Sequence, residues 1–220
     1  MDGAGQKGPA RRRAKPDAEE RIRDRNRALI RRAATGIFAR KGFDGTRMAE
    51  IAEEAGLPKA NVYYYFATKD DLYRAVLRQV LDGWTDALET LRADRDPFEA
   101  IGDYVRAKLD YSRQNPDESR VFATEIVGGA RRLPPADRQF MQEVTRRHAV
   151  VLEGWMEAGR IRRLSARHLL ISIWATTQYY SDFSTLAADA LDREILSDRD
   201  YHDATETYTQ MIIAGLRPRG

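Results

Sequence analysis

The 220-residue sequence predicts an all-α fold, a small N-terminal module joined to a larger helical body. Three observations carry this. Apolar residues recur three and four apart along most of the chain, as Ile30, Ala33, Ala34, Ile37 and Phe38 do. Capping and stop residues bracket these stripes at ordinary helix lengths. No stretch alternates apolar and polar residues over a strand's length, and no internal repeat shows.

Met1 to about Asp17 is rich in Gly, Ala, Pro and basic residues, with Arg11, Arg12, Arg13 and Lys15 grouped together. Its composition predicts disorder when free. It reads equally well as an arm that follows a nucleic-acid backbone or minor groove and as a solubilising tail. The Ile30–Phe38 stripe predicts a helix closed by Gly42.

Residues 42–69 then read as a helix-turn-helix. Ile51, Ala52 and Ala55 put an apolar stripe on its first helix, Gly56 ends that helix, and Leu57 and Val62 fill the angle between the pair. Small Ala52 lets the two helices approach closely. The turn needs a residue at positive φ, which glycine adopts without Cβ strain. An ordinary αα-corner is the plainer reading, but this one carries Thr46, Arg47, Lys59, Ala60, Asn61, Tyr63, Tyr64 and Lys69 outside its apolar positions. Arg and Lys supply charge for phosphates, while Thr, Asn and Tyr supply hydrogen bonds that fix register on a duplex. Asn61 is the best candidate to read a base edge, since a carboxamide pairs bidentately with adenine.

Further helices follow. Thr68 caps a long one through Leu72, Val76, Val80 and Leu81 to about Leu91. Asp96-Pro97-Phe98-Glu99 reads as a capping box opening a helix that Asn115-Pro116 stops. A shorter helix runs from about Asp117 to Val127 and ends at Gly128-Gly129. Pro134-Pro135 opens a long helix to about Ala158, closed by Gly159. Ser165 caps another, through Trp174 to about Leu186, and the last spans about Tyr201 to Leu216.

Charge divides along the chain. Residues 1–80 hold 18 Lys and Arg against 11 Asp and Glu, net +7, leaving net −4 for the remainder. A basic head on a mildly acidic body fits nucleic-acid contact at one end. Zero cysteines exclude disulfides and thiolate chemistry. No apolar run approaches the ~18 residues needed to cross a bilayer, and residues 1–16 lack a secretory apolar segment. A cytoplasmic protein is expected. His148, His168 and His202 are scattered without metal spacing, and no phosphate loop or nucleophile motif is present. No enzyme activity, metal or cofactor is expected.

The run from Ile30 to Leu77 resembles the TetR family of bacterial regulators, at Phe38, Gly42, Thr46, Ile51, Ala52, Gly56, Val62, Tyr63, Tyr64, Phe66, Lys69 and Leu72. The resemblance implies a three-helix DNA-binding domain over 18–67 and an effector-binding and dimerisation domain over 68–220. It places Thr46 and Arg47 at the start of the positioning helix, Lys59 to Tyr64 in the recognition helix, and Lys69 at the next helix. Pro58 departs from the small polar residue that many members carry, and so removes one N–H donor.

In the body, Trp84, Trp155, Trp174, Tyr179, Tyr180 and Phe183 fall on helices, where most aromatics are core. Trp174 and Gln178 are different. Four apart, they share a helix face and set an indole beside a carboxamide, a donor and an acceptor on an apolar stripe. Residues 72–84, 168–183 and 213–219 are similar to the pyrimidine-utilisation regulators of the same family. That similarity implies a homodimer on a palindromic operator in double-stranded DNA, released by a small effector such as uracil or thymine. Trp174 and Gln178 would hold the ring, with Thr177 and Trp84 as weaker candidates. The other reading is the same DNA-binding fold controlled by a protein partner or a different small ligand.

Overall fold

A computed structural model describes residues 18–218. The basic arm expected over residues 1–17 lies outside the described residues. Among them the chain forms ten helices and no strand: α1 (Ala18–Lys41), α2 (Met48–Glu54), α3 (Lys59–Tyr65), α4 (Lys69–Leu88), α5 (Pro97–Gln114), α6 (Pro116–Val127), α7 (Pro135–Glu157), α8 (Ala166–Asp182), α9 (Ser184–Ala190) and α10 (Asp198–Leu216).

Local chemistry sets most boundaries. Gly42 and Gly56 sit at φ +68° and +65° and end α1 and α2 in the left-handed region, where a Cβ is strained. Thr68 and Asp71 form a reciprocal cap on α4: Asp71 N–H donates to Thr68 Oγ1 at 3.0 Å, and Thr68 N–H donates to Asp71 Oδ2 at 3.1 Å.

Four details differ from the sequence expectations. α4 stops at Leu88 rather than Leu91, where a series of turns replaces the helix. Asp96 takes the N–H groups of Phe98 and Glu99 at 2.9 and 3.0 Å, but Glu99 returns no bond, so the cap is one-sided. The helix expected to run to Leu186 breaks at Phe183 (φ −122°, ψ 40°) and resumes as α9. Around that break Ser181 Oγ bonds the Gln178 carbonyl and Ser119, the local side-chain competition that makes serine a poor helix interior residue. α10 starts at Asp198 rather than Tyr201, because Ser197 and Asp200 form another reciprocal cap.

Two apolar cores result. The first joins α1, α2 and α3 to the N-terminal half of α4 and to α6, through Ile30, Phe38, Ile51, Val62, Leu72 and Val76. The second joins α5, α7, α8 and α10 through Tyr104, Leu109, Leu152, Trp155, Leu170 and Ile173. α4 contributes to both.

Lys69 fastens the start of α4 to the turn between α1 and α2. Its Nζ donates to the carbonyls of Phe43 at 2.8 Å and Thr46 at 2.9 Å, and lies 4.3 Å from the Phe43 ring centre. α5 holds a second unusual lysine. Lys108 occupies a position in the stripe Ile101, Tyr104, Val105, Leu109 and is only 1% exposed. Burial lowers its ammonium pKa to about 7, opposed by the charge of Asp182.

Two predictions follow from these lysines. Lys69→Met removes the donor from two part-buried carbonyls and should destabilise by about 1–3 kcal/mol in urea melts, whereas exposed Lys59→Met should stay within about 0.5 kcal/mol of wild type. For Lys108, the unfolded chain holds the proton up to its ordinary pKa near ~10.4, while the folded form releases it near 7, so the unfolded state binds more protons in between. Stability should therefore rise from pH 7 toward 10 relative to Lys108→Met, by at most about 4 kcal/mol. A difference that is flat or falls with pH contradicts the burial of a titrating ammonium.

Candidate functional site

α3 turns Val62 inward, fully buried, with Phe66 behind it, and leaves Lys59, Ala60, Asn61, Tyr63 and Tyr64 exposed. Tyr65 sits between these faces. Its phenol accepts from Asn26 Nδ2 at 3.2 Å, tying α3 to α1, and its ring meets Tyr64 edge-on at 5.1 Å. Tyr64 is 71% exposed, an unusual position for a large aromatic, and its ring is held by a neighbour. Lys59 Nζ lies 5.8 Å from the Tyr63 ring centre. Among the described residues nothing hydrogen-bonds the Asn61 carboxamide, so both its donor and its acceptor remain available. Arg47, exposed, precedes α2.

Thr46 and Lys69, also expected at the DNA face, each have internal partners. Thr46 is 2% exposed and its hydroxyl donates to the Gly42 carbonyl at 2.7 Å. With two Lys69 bonds already on this loop, both residues shape the turn that presents Arg47.

The body forms an open-sided cavity of about 390 Å³ among α4, α5, α6, α7 and α8. Trp84, Trp174, Phe122 and Met141 form apolar walls, and Gln178, Lys108 and Asp182 are among its polar groups, with the hydroxyls of Thr85, Tyr104 and Thr145. Trp174 Nε1 donates to the Tyr104 hydroxyl at 2.5 Å, which fixes the indole plane. Burial holds the Tyr104 phenol well above its usual pKa, so it stays protonated. Trp84 packs edge-on against Phe122 at 4.7 Å, and its Nε1 is buried without a partner. Among the described residues the Gln178 amide has no hydrogen bond either.

Thr177 is not brought to this cavity. Fully buried on the adjoining face, its hydroxyl donates to the Ile173 carbonyl at 2.8 Å, and its own carbonyl accepts from Ser112. One residue along a helix is a rotation of ~100°, enough to move it from the face that Trp174 and Gln178 share. Conversely, Lys108 and Asp182 line the cavity and were not anticipated. The signals were present: Asp182 is one further turn along the Trp174–Gln178 face, and Lys108 is a lysine at an apolar position of the α5 stripe.

Two elements run from the cavity to the N-terminal module formed by α1, α2 and α3. The far half of α4 supplies Trp84 while its first turn carries Lys69. α6 supplies Phe122 and packs on α1. The loop after α6 adds a third link. Arg132 N–H donates to Glu125 Oε1 on α6 at 2.6 Å. Its guanidinium lies 3.3 Å from Asp44, 3.9 Å from Asp70 and 3.7 Å from the Phe43 ring centre, beside the turn between α1 and α2 and the start of α4. No group of His, Cys, Asp and Glu side chains suits a metal ion among the described residues, and none of their helices is long and apolar enough to cross a membrane.

Comparison with known proteins matches the two parts of the chain to two family models. Residues 30–76 match the family described as bacterial regulatory proteins, tetR family, and residues 77–219 match the YcdC-like protein, C-terminal region. The HTH-type transcriptional regulator RutR of Escherichia coli K12 is 37% identical over 187 residues, covering 85% of this chain and 88% of that protein. The HTH-type transcriptional repressor NicS of Pseudomonas putida is 28% identical over 80% of this chain and 87% of its own length. A crystal structure of a tetR-family regulatory protein from Rhodococcus RHA1 superimposes with a TM-score of 0.68 at 20% identity, over 89% of this chain and 98% of that one. With a DNA-reading head, a helical body and a relative of this similarity along nearly its whole length, the chain belongs to the TetR family of DNA-binding transcriptional regulators.

Proposed function

We propose that this regulator is a cytoplasmic homodimeric repressor that grips a palindromic operator and is released by a small flat ligand, a pyrimidine base such as uracil or thymine. The observation that carries this is the cavity walled by α4 and α6, the same two helices that pack against the reader. Residues 18–67 act as the reader and 68–220 as the body that senses and dimerises. Lys59, Tyr63, Tyr64 and Arg47 contact phosphates, and Asn61 reads a base. Ala60, without a long side chain, lets α3 lie close to the groove floor.

The geometry supports a ring ligand. Trp84 and Trp174 offer aromatic faces, and the Gln178 amide matches the alternating C=O and N–H groups of an imide. Exposed Ile171, Tyr179, Phe183 and Leu186 on α8 and α9, with Met211 on α10, supply apolar area for a two-fold interface. Release is a population shift. Two recognition helices must sit about 34–36 Å apart to enter successive major grooves. A ligand that binds better when α4 and α6 hold another separation weakens DNA binding by its differential affinity.

The reader is tested by fluorescence anisotropy on the operator. Asn61→Ala should cost about 1–3 kcal/mol and relax preference at one base pair, whereas Lys59→Ala should weaken all duplexes and lower the salt slope by about one. Equal loss on operator and scrambled duplex for Asn61→Ala removes it from base reading. For the effector, uracil or thymine at 100 times its Kd should stabilise the protein by about 2.7 kcal/mol in thermal melts and release the operator. Gln178→Leu should abolish that response while sparing DNA affinity. If an unrelated compound stabilises and neither base does, the effector is a different one.

A further inference from the structure

The cavity holds a lysine amine and a carboxylate that face one space without bonding each other. Lys108 Nζ, from α5, lies 4.2 Å from the Trp84 ring centre and has no hydrogen-bond acceptor among the described residues. Asp182, at the end of α8, spends Oδ1 on the hydroxyls of Ser119 at 2.5 Å and Ser181 at 3.3 Å, while Oδ2 has no partner among the described residues. The obvious internal solution, an ion pair between them, is not formed. Each feels the other's charge from a distance.

Buried charges are normally paired and hydrogen-bonded, because an unpaired one loses its water and gains nothing in return. Lys108 is 1% exposed, so its need is met only by what occupies the cavity. An anion would satisfy Lys108 and repel Asp182, and a cation would do the reverse. A neutral group that accepts at one end and donates at the other satisfies both. In a flat ring, that group is a carbonyl beside an N–H. The serines hold the Asp182 carboxylate in place, and the Trp84 face steadies the ammonium, so both are positioned before a ligand arrives.

We propose that Lys108 and Asp182 read the lactam edge of the effector ring, Lys108 donating to a ring carbonyl and Asp182 accepting from the adjacent ring N–H. This rests on the pyrimidine reading above and names the group through which that reading works. Gln178, one turn before Asp182, takes the next carbonyl or N–H around the ring. The site therefore takes cyclic lactams and imides with a free ring N–H, and rejects rings of the same outline whose N–H groups are substituted.

Titration calorimetry with uracil, 1-methyluracil, 3-methyluracil and 1,3-dimethyluracil tests this on the full-length protein. Wild type should bind 1,3-dimethyluracil at least about tenfold more weakly than uracil, and the two singly methylated rings should differ, which identifies the edge used. In Asp182→Leu the penalty for methylation should fall to about threefold or less, since the acceptor it offends is gone. Lys108→Met should weaken uracil and 1,3-dimethyluracil alike, about tenfold or more, because both keep the carbonyls. Should Asp182→Leu not fold, Asp182→Asn keeps the shape with a weaker acceptor and should reduce the penalty at least about threefold. Undiminished uracil binding in both Lys108→Met and Asp182→Leu, or a methylation penalty that persists without Asp182, overturns the assignment and leaves the pyrimidine effector standing. Failure of wild type to bind any of the four rings overturns the pyrimidine reading itself.

Discussion

One helix is packed into two places at once, and the rest of the molecule is arranged around that constraint. The first turns of α4 belong to the core of the reader, through Leu72 and Val76, and its last turns, through Leu81, Trp84 and Leu88, wall the cavity. In the proposed release a shift at Trp84 is carried to Lys69 rather than absorbed between them, because a packed helix is stiff over this length. Lys69 then holds the carbonyls of Phe43 and Thr46, and that loop places Arg47 and α2. The proposed coupling needs no contact between ligand and DNA-facing residues. It needs α4 to have two acceptable positions, with ligand and operator each favouring one.

α6 and the loop behind it constrain how α4 can move. Gln79 donates to Glu118 at 2.5 Å, and Tyr111 bonds the other oxygen of the same carboxylate, so α4, α5 and α6 meet at a single acidic side chain. Farther toward the reader, Arg132 bridges the α6 loop to Asp44 and to the Phe43 ring. These bonds leave three of the cavity's five walls, α4, α5 and α6, mechanically joined. The cavity's own polar groups are the reverse case. The Trp84 N–H is buried without a partner, and Lys108, Gln178 and Asp182 face the same space where apolar side chains would cost less, a local conflict of the kind that functional sites carry.

The reader was nearly all legible in the sequence because local rules govern it. Gly42 and Gly56 announce their turns, Val62 faces in, and Lys59, Asn61, Tyr63 and Tyr64 fall outside by helical spacing alone. Thr46 and Lys69 were harder, since a polar side chain looks the same in sequence whether it serves a phosphate or a carbonyl 23 residues away. In the body, Trp174, Gln178 and Trp84 were legible as cavity residues, and Thr177 was not separable from its neighbour without the helix phase. Lys108 escaped because it comes from α5, and only the packing of α5 on α8 brings it to Asp182. The break at Phe183 and the early start of α10 both turned on serine side chains, whose choice between capping and solvent depends on their surroundings.

The central claim is mechanical: ligand in the body changes the spacing of two readers. A pair of spin labels on exposed Glu53, one on each protomer, reports that spacing by dipolar spectroscopy. On operator the distribution should be single and narrow, matching recognition helices about 34–36 Å apart, and saturating effector without DNA should move its centre by several Å or broaden it beyond the bound form. Distributions that superimpose with and without an effector that releases the operator, or a chain that shows no dipolar coupling at all, contradict the account.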